Sequence, residues 1–267
     1  MDYRPFLENC ERIAKRAGGL IREKVGHVTI REKGPSDLVT EADIASQELV
    51  RSMLAEIYPD HLLIGEEDSA ERRAEPDRDP NRAEFAWIVD PIDGTTNYAH
   101  GVPFYCVSLA LAHRGRLVVG VVYDPNQDEC FTAAEGVGAF LNGRPIHPSS
   151  VTDLEHALYA TSFPAHVQKE DPDVRCFLEV VSSTQSIRRT GSAALNLAYV
   201  AAGRFDVASA YKTKIWDYAA GTVLVRVAGG VISTWKGEPI PLADAPHLAA
   251  ATPQLAATLL RCTSKID

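Results

Sequence analysis

The sequence predicts a mixed α/β protein in two halves, an α+β half followed by an alternating α/β half. The chain has 267 residues, 45% of them hydrophobic, which is enough for one large domain or two tightly joined halves. The chain begins with two segments whose apolar residues recur at helical spacing, and a β-rich region follows. After residue 150, predicted strands alternate with predicted helices. We therefore expect an N-terminal half over residues 1–148 and a C-terminal half over residues 149–267.

Two helices and two short strands are predicted for the first 70 residues. Apolar residues at helical spacing predict the first helix over residues 4–24, and Gly26 is expected to end it. The second helix is predicted to follow Thr40 as its N-cap, with Asp43 at the capping-box position. Strands are predicted at HVTI, before a Gly-Pro loop, and at HLLIG, before two glutamates.

The remaining elements follow from turn signals and periodicity. The charged stretch AERRAEPDRDPNRAE is predicted to be a mobile surface loop. An antiparallel meander is expected to follow it, with turns at three residue pairs, Arg114-Gly115, Pro125-Asn126 and Asn142-Gly143. In the second half, strands are predicted at LYATSF, FDVASAY and VISTW, and helices at DVRCFLEVVSST, SAALNLAYVAAG and DYAAGTVLVRVAGG.

Composition and charge exclude several classes of function. The net charge of −9 argues against a nucleic-acid backbone as partner. No apolar run approaches the length of a membrane span, and the N-terminus has no signal-peptide core, so no membrane partner is expected. The five cysteines are odd in number and scattered, without a CxxC pair, which favours a reduced, cytoplasmic setting over zinc or redox chemistry.

Carboxylates follow three apolar runs: Glu66 and Glu67 after HLLIG, Asp90 and Asp93 after FAWIV, and Asp217 after KIW. Each alone is typical of a solvated strand end or a helix cap. If the three ends converge, charges about 4 Å apart repel by roughly 4 kcal/mol at an effective dielectric near 20, so the cluster needs protons or cations. Oxygen ligands without His or Cys suit Mg²⁺, Mn²⁺ or Ca²⁺. The pattern therefore predicts a site for a hard cation.

The residues after Asp93 indicate which anion such a site would bind. The segment DGTTN turns at Gly94 into a predicted helix N-terminus, where the N–H groups of Gly94, Thr95 and Thr96 would point outward. A helix N-terminus of this kind binds phosphate well. Metal carboxylates beside an anion-binding helix start favour phosphoryl transfer, in which two metals could activate water and stabilise the leaving oxygen.

Several rival motifs fail on spacing. An EF-hand loop from Asp90 would need Gly at its sixth position and Glu at its twelfth, where the chain has Thr95 and Gly101. Dehalogenase-type phosphatases carry DxDGT with a nucleophilic first Asp, but DPIDGT places Pro91 at that position, so no phosphoenzyme is expected. The P-loop, the dinucleotide fingerprint and HExxH are also absent from the sequence.

Three segments in order resemble the signatures of the inositol monophosphatase family, whose members are magnesium-dependent, lithium-sensitive phosphatases. They are GEE at 65–67, WIVDPIDGTTNY at 87–98 and WDYAAG at 216–221, and the middle one is highly specific. The likeness runs from the first helix to at least Gly230. It implies a layered αβαβα sandwich with a metal site shared between the halves, and a homodimer.

The resemblance also implies the metal ligands. The ligands of two Mg²⁺ ions would be Glu66, Asp90 and the Ile92 carbonyl for the first ion, and Asp90, Asp93 and Asp217 for the second. A third, looser ion would lie on Glu66 through water, with Glu67 as a supporting carboxylate or ligand. Mn²⁺ is expected to substitute for Mg²⁺, and Ca²⁺ and Li⁺ are expected to inhibit.

For catalysis, the family pattern implies direct attack of a metal-activated water on phosphorus. Thr95, hydrogen-bonded to Asp43, would orient that water together with the ion held by Glu66. The backbone at Gly94 and Thr95, beside Asp93, would hold the phosphate. The attack spreads charge over oxygens that pre-oriented donors can meet with little reorganisation.

The residues expected beside the substrate match the family pattern less uniformly than the metal ligands do. Lys33, on the Gly-Pro loop, matches a family lysine near the metals, with a solvated loop charge as the alternative. The segment TGSAA at 190–194 matches the family segment beside the substrate ring, with Gly191, Ser192 and Ala193 in the usual places, and it is also typical of a helix N-cap and first turn.

One position departs from the inositol-selective pattern. A Glu that binds ring hydroxyls is replaced here by Ala210, and Lys212 and Lys214 follow. We expect inositol monophosphate as substrate, while the change keeps open fructose 1,6-bisphosphate, 3′-phosphoadenosine 5′-phosphate and histidinol phosphate. The alternative for the two lysines is that they point to solvent. A non-catalytic interaction protein of the same fold is disfavoured, because no implied ligand is missing from the sequence.

Overall fold

The structure is a computed structural model that describes every residue except 28, 35, 36, 74, 76, 265 and 267, and every other side chain except those of residues 30, 33, 34, 37 and 70. The helices of the described part are α1 (Arg4–Lys24), α2 (Glu41–Ile57), α3 (Ala70–Arg73), α4 (Thr95–Ala99), α5 (Pro172–Val180), α6 (Ala193–Ala201), α7 (Ile215–Ala228) and α8 (Pro253–Thr263). The strands of that part are β1 (Ile30–Gly34), β2 (Asp37–Thr40), β3 (Leu62–Gly65), β4 (Phe85–Asp93), β5 (Cys106–His113), β6 (Arg116–Asp124), β7 (Glu129–Ala134), β8 (Gly138–Leu141), β9 (Arg144–Pro145), β10 (Leu158–Thr161), β11 (Ser186–Arg188), β12 (Val207–Ala210), β13 (Val231–Ser233) and β14 (His247–Ala250).

Two sheets organise these elements, and a separate β1–β2 hairpin precedes them. The larger sheet has seven strands in the order β3-β4-β5-β6-β7-β8-β9, parallel between β3 and β4 and antiparallel elsewhere. The smaller sheet has five strands in the order β11-β10-β12-β14-β13, with β10 parallel to both of its neighbours. The first sheet lies within residues 62–145 and the second within 158–250.

Five layers of helices and sheets pack together through three buried apolar clusters. Helices α1 and α2 cover one face of the large sheet, where Ile13 packs in the same cluster as Val121. Helices α6 and α7 fill the space between the two sheets, where Val223 is fully buried. Helices α5 and α8 cover the outer face of the small sheet, where Leu259 packs in one cluster with Leu248. The layering is α-β-α-β-α, which confirms the predicted fold class.

Most local predictions in the first half are confirmed. Helix α2 begins after Thr40, whose side chain and the carboxylate of Asp43 form the predicted capping box. The pairing of Leu141 with Arg144, and the corresponding closure of β5 on β6, form hairpins at the expected Asn-Gly and Arg-Gly pairs. Helix α1 ends at Lys24, two residues before Gly26.

Some elements differ from the prediction. DLVT pairs with the preceding strand as β2, and β11, β14 and α8 have no counterpart in the predicted set. The stretch 70–84, predicted to be a mobile surface loop, contains the one-turn helix α3, and the side chain of Arg78 reaches the buried carboxylate of Asp68 at 2.6 Å. Charge alone suggested solvation there, whereas Arg73 and Arg78 donate hydrogen bonds to residues outside the stretch.

Two further features bear on the setting of the chain. All five cysteines are free thiols, and four of them are buried. Among the described helices, none combines the length and the apolar character that crossing a bilayer requires.

Candidate active site

An irregularity in strand β4 brings Asp90 and Asp93 to one side of the large sheet. Asp90 pairs with Ser108 and Asp93 with Cys106, so β4 advances three residues where β5 advances two. Side chains alternate along a strand, and residues three apart normally point to opposite faces. The extra residue beside Pro91, which has no N–H for the ladder, cancels that alternation. Both carboxylates are buried, with 1% and 8% of the residue surface exposed.

Asp217 joins this pair from the start of helix α7. It is the third helical residue, and its Oδ2 accepts the backbone N–H of Lys214 at 2.8 Å, as in a capping box. The hydroxyl of Ser108 lies 3.4 Å from the Trp216 carbonyl and ties the helix start to β5. Asp90, Asp93 and Asp217 each offer one oxygen, and these oxygens lie within 4.8 Å of one another.

The electrostatics of this carboxylate cluster call for a cation. Burial raises the pKa of Asp90 well above its usual range, and the charges of Glu66 and Asp93 raise it further. Burial and the charge of Asp93 likewise raise the pKa of Asp217. Carboxylates in this state must share protons or bind a positive ion. The donors are all oxygen, which matches the preference of Mg²⁺, Mn²⁺ and Ca²⁺, so these residues fit the predicted metal.

The two glutamates of the first signature lie in the turn after β3. The N–H of Glu66 donates to the Val89 carbonyl at 3.1 Å, which holds this residue against β4 just before Asp90. The N–H of Glu67 donates to Oε1 of Gln47 on α2 at 2.8 Å. Both glutamate side chains are half-buried, and the charge of Glu66 is felt at Asp90, so this turn borders the carboxylate cluster.

Asp43 and Thr95 lie together at the edge of the cluster. Oδ2 of Asp43 accepts the N–H and the hydroxyl of Thr40 at 2.7 and 2.6 Å. Its Oδ1 lies 3.4 Å from the hydroxyl of Thr95, which is also 3.0 Å from the Ile92 carbonyl. Asp43 is fully buried and therefore caps α2 while facing the site. The two predicted uses of this residue are compatible in one geometry.

The conformation of the turn at Gly94 favours glycine. Gly94 has φ +98°, and a Cβ there would lie 3.0 Å from the Phe104 carbonyl oxygen. It precedes α4, which begins at Thr95 as the motif predicts, but this helix has only five residues. The side-chain amide of Asn97 donates to the carbonyls of Phe104 and Thr190 at 2.7 and 2.8 Å. Asn97 therefore links the signature turn to the C-terminal half, a role that the sequence did not indicate.

The residues predicted beside the substrate are engaged with Asp93. The hydroxyl of Ser192 and the N–H of Ala194, at 2.7 Å, donate to Oδ2 of Asp93, and the N–H of Ala193 donates to Oδ1 at 3.3 Å. These bonds oppose the effect of burial, which still raises the pKa of Asp93. Ser192 is also the N-cap of α6 and accepts the N–H of Leu195 at 3.2 Å. The helix-cap alternative is thus confirmed, and it serves a metal-ligand candidate.

Two other predicted substrate residues, Gly191 and Ala210, are not fully exposed, and the side chain of a third lies outside the described part. The side chain of Lys33 lies outside the described part of the structure. Gly191 is half-buried, next to Asn97. Ala210 ends β12 with 1% of its surface exposed, paired with His247. The Ala210 methyl is therefore not presented to a ligand in this conformation.

The two lysines after Ala210 are not free charges. Nζ of Lys212 lies 2.6 Å from Asp171, and Nζ of Lys214 lies 2.8 Å from Asp244. Half of the Lys212 side chain remains exposed, so the pair adds little stability. The carboxylates nevertheless offset both positive charges. The positive charge that these lysines would offer a second phosphate is therefore partly offset by Asp171 and Asp244.

Comparison with known proteins is consistent with this geometry. The model of the inositol monophosphatase family matches residues 2–267. The Nus factor SuhB of Pseudomonas aeruginosa is 41% identical over 240 residues, which cover 87% of this chain and 86% of that protein. Inositol monophosphatase 3 of Solanum lycopersicum is 41% identical over 250 residues, covering 89% of this chain and 88% of that protein.

A solved structure extends the likeness to three dimensions. The extragenic suppressor protein suhB from Bartonella henselae superposes with a TM-score of 0.89 at 34% identity, covering 98% of this chain and 99% of that one. The match therefore includes both sheets and the helices between them, which are the elements that carry the three aspartates.

Proposed function

The chain belongs to the inositol monophosphatase family, and we propose that it is a metal-dependent phosphomonoesterase acting on inositol monophosphate. The observation that carries this proposal is the convergence of Asp90, Asp93 and Asp217 on one point, within 4.8 Å of one another, from two halves of the chain. An all-oxygen site with raised carboxylate pKa values is suited to divalent cations rather than to a covalent nucleophile.

The cations are proposed to be Mg²⁺. Asp90 would lie between two ions, with Glu66 and the Ile92 carbonyl on one side and Asp93 and Asp217 on the other. When bound, such ions lower the pKa of water and stabilise negative charge on phosphate oxygens. Their charge also replaces the protons that the buried carboxylates would otherwise retain, because opposite charges favour the ionised form.

Thr95 and Asp43 are proposed to accept the proton of the attacking water. If the Thr95 hydroxyl donates to Oδ1 of Asp43, the lone pairs on its oxygen are directed outward and can accept from water. Asp43 is then oriented by its two bonds from Thr40 and can take up a proton that passes through the Thr95 hydroxyl. Because Asp43 is fully buried, bulk water does not compete with Thr95 for hydrogen bonds to this carboxylate.

A monophosphate is favoured over a bisphosphate because the two lysines near the pocket are paired. Lys212 and Lys214 already contact Asp171 and Asp244, so they offer less attraction to a second phosphate. The experiment is a panel of four esters, ranked by kcat/KM with Mg²⁺: inositol 1-phosphate, fructose 1,6-bisphosphate, 3′-phosphoadenosine 5′-phosphate and histidinol phosphate. We expect the first to rank highest. Preference for any other ester would overturn the substrate while leaving the phosphatase activity standing.

A second candidate function comes from the relatives named as Nus factors, one of which is 41% identical to this chain. The proposal is that the chain acts as a Nus factor as well as an enzyme. With such relatives, the exclusion of nucleic acid that the charge suggested is not supported. Complementation of a Pseudomonas aeruginosa strain deprived of its SuhB tests this. Rescue by both the wild-type chain and the Asp90→Asn variant would support a factor role without catalysis, and no rescue by the wild type would contradict it.

A further inference from the structure

Asp68 follows the Glu66–Glu67 pair, and its side chain is completely buried. Oδ1 lies 2.5 Å from Nη2 of Arg51 and 3.1 Å from Nε2 of Gln47. Oδ2 lies 2.6 Å from Nη2 of Arg78 and 3.2 Å from the N–H of Gly65. We call Asp68, Arg51, Arg78 and Gln47 the Asp68 cluster. None of the four is among the residues that converge at the carboxylate cluster, and the family signature ends before Asp68.

The arrangement fixes geometry more than it adds stability. Two buried ion pairs gain little net free energy after desolvation, because removing charges from water is costly. A carboxylate that accepts four bonds on both oxygens, however, has a single allowed orientation. The exposed fraction of the partner side chains is only 16% for Arg51 and 10% for Arg78, so solvent does not compete strongly for these bonds.

The Asp68 cluster grips the turn that carries the two glutamates. Asp68 accepts the N–H of Gly65 and returns its own N–H to the Gly65 carbonyl at 3.2 Å. Gln47 binds Asp68 through its amide nitrogen and the N–H of Glu67 through its oxygen, at 2.8 Å. A Cβ on Gly65 would lie 2.1 Å from that oxygen, so a larger residue at this position would displace the Gln47 amide from the turn.

The charged stretch after Asp68 supplies further hydrogen bonds to this turn and to the strand before it. Arg78 donates to the Leu63 carbonyl of β3 as well as to Asp68. Arg73 donates to the Glu66 carbonyl, and its guanidinium carbon lies 4.9 Å from the ring centroid of Trp216, the neighbour of Asp217. Arg73 therefore binds the backbone of the turn that carries the two glutamates and also contacts Trp216 at the start of α7, while Arg78 binds the strand that leads into that turn.

We propose that the Asp68 cluster is a positioning device that holds Glu66 and Glu67 in the geometry required to bind Mg²⁺. This inference rests on the metal site of the proposed function. Groups that orient metal ligands typically change metal affinity or activity by roughly 10- to 100-fold when they are removed. The charged stretch of residues 70–84 thereby contributes to the site although it supplies no ligand.

The test compares Asp68→Asn and Arg78→Met with Arg82→Met. Arg82 belongs to the same stretch, but 85% of its side chain is exposed and its ion pair in the described part of the structure is with the nearby Asp79, so it is the matched control. Mg²⁺ binding is measured by calorimetry, and thermal unfolding is followed by circular dichroism in EDTA. We expect Mg²⁺ to bind about 10-fold more weakly to the first two variants, and at the wild-type affinity to Arg82→Met.

The outcomes separate positioning from simple stabilisation. A lower melting temperature with unchanged Mg²⁺ affinity in Asp68→Asn would overturn the proposal. If Asp68→Asn or Arg78→Met does not fold, Arg78→Lys keeps the charge but replaces the planar guanidinium, whose Nη2 contacts both Asp68 and the Leu63 carbonyl, with a flexible and more strongly hydrated ammonium. It should then show weaker Mg²⁺ binding, and wild-type affinity in that variant would contradict the proposal. Calorimetry needs no turnover, so wild-type Mg²⁺ binding without phosphatase activity would refute the proposed function and leave the positioning role standing.

Discussion

The N–H of Ala194 donates a 2.7 Å hydrogen bond to the carboxylate of Asp93, although the two residues are 101 positions apart. Asp93 ends strand β4 of the large sheet, and Ala194 lies in the first turn of α6, which packs between the two sheets. The start of α6 thus binds a carboxylate that also belongs to the carboxylate cluster. The same contact therefore joins α6 to the large sheet and fixes the orientation of a carboxylate in the site.

Replacing Ser192 with Ala should weaken both roles of that contact. The hydroxyl caps α6 and donates to Asp93, and loss of an N-cap alone costs about 1 kcal/mol. We expect a lower free energy of unfolding and weaker Mg²⁺ binding, measured by urea denaturation and by calorimetry. The substitution Ser264→Ala, in the exposed cap of α8, is the control. Equal effects from both substitutions would contradict the link to Asp93.

Thr95→Ala should reduce kcat by roughly 100-fold or more while leaving Mg²⁺ affinity near the wild-type value, because general-base assistance contributes about that much. Thr95 contacts Asp43 through its hydroxyl but supplies no carboxylate to the ions. Thr96→Ala, at the next and exposed position, is the matched control. Steady-state rates with inositol 1-phosphate check the effect, and a wild-type kcat in Thr95→Ala would remove the threonine from the mechanism.

Gly94→Ala should destabilise the turn that presents the site. The residue has φ +98°, and its new Cβ would press on the Phe104 carbonyl at 3.0 Å. Strain of this kind costs on the order of 1–3 kcal/mol. Thermal unfolding should show the loss, whereas Gly19→Ala should not, since a Cβ at Gly19 in helix α1 meets nothing within 4 Å. An unchanged melting temperature for Gly94→Ala would mean that the turn relaxes freely.

The stability of the fold should carry a pH signature of Asp173. Burial raises the pKa of this carboxyl from 3.8 to about 6. The folded chain therefore holds the proton more tightly than the unfolded chain. The resulting stabilisation is present below about pH 4 and is lost as the pH rises through about 6. The difference amounts to at most about 3 kcal/mol.

Asp173→Asn removes this dependence and keeps an oxygen that can accept the N–H of Tyr211, now bonded to Asp173 at 2.7 Å. Urea denaturation of both proteins from pH 4 to pH 7.5 is the measurement. The free energy of unfolding of the variant should gain on that of the wild type as the pH rises. Parallel curves for the two proteins would show that Asp173 titrates normally in the fold.

Local signals were sufficient for the parts of the fold that are determined by neighbouring residues. The capping box of Thr40 and Asp43 and the Asn-Gly hairpin depend on residues at most three apart, and both are present as predicted. The predicted strand FAWIV ended in acid, but the bulge at Pro91 that turns Asp90 and Asp93 to one side depends on the pairing with β5. The family resemblance identified the residues of the carboxylate cluster, but their geometry could be known only from the pairing of strands in the sheet.

The family resemblance implied the contact between Thr95 and Asp43, but other long-range contacts could not be predicted from the sequence. Ser192 and Ala194 bind Asp93, but their residue types are equally typical of an ordinary helix cap. Arg78 binds Asp68, but an arginine in a charged stretch is equally typical of a solvated loop. The exposed and charged character of residues 70–84 concealed two buried contacts. Strands β11 and β14 have three and four residues, too few for a reliable period.

The most direct test of a metal-dependent site at Asp90 is phosphate release from inositol 1-phosphate by the wild type and by Asp90→Asn, with Mg²⁺ and with EDTA. Asn keeps the oxygen that accepts the N–H of Ile92 at 3.0 Å but removes one charge from the carboxylate cluster. We expect Mg²⁺-dependent release by the wild type and at least about 1,000-fold slower release by the variant. In EDTA the variant should melt at the higher temperature, since repulsion is relieved. Wild-type turnover by a folded Asp90→Asn protein, or release that EDTA does not affect, would contradict the account.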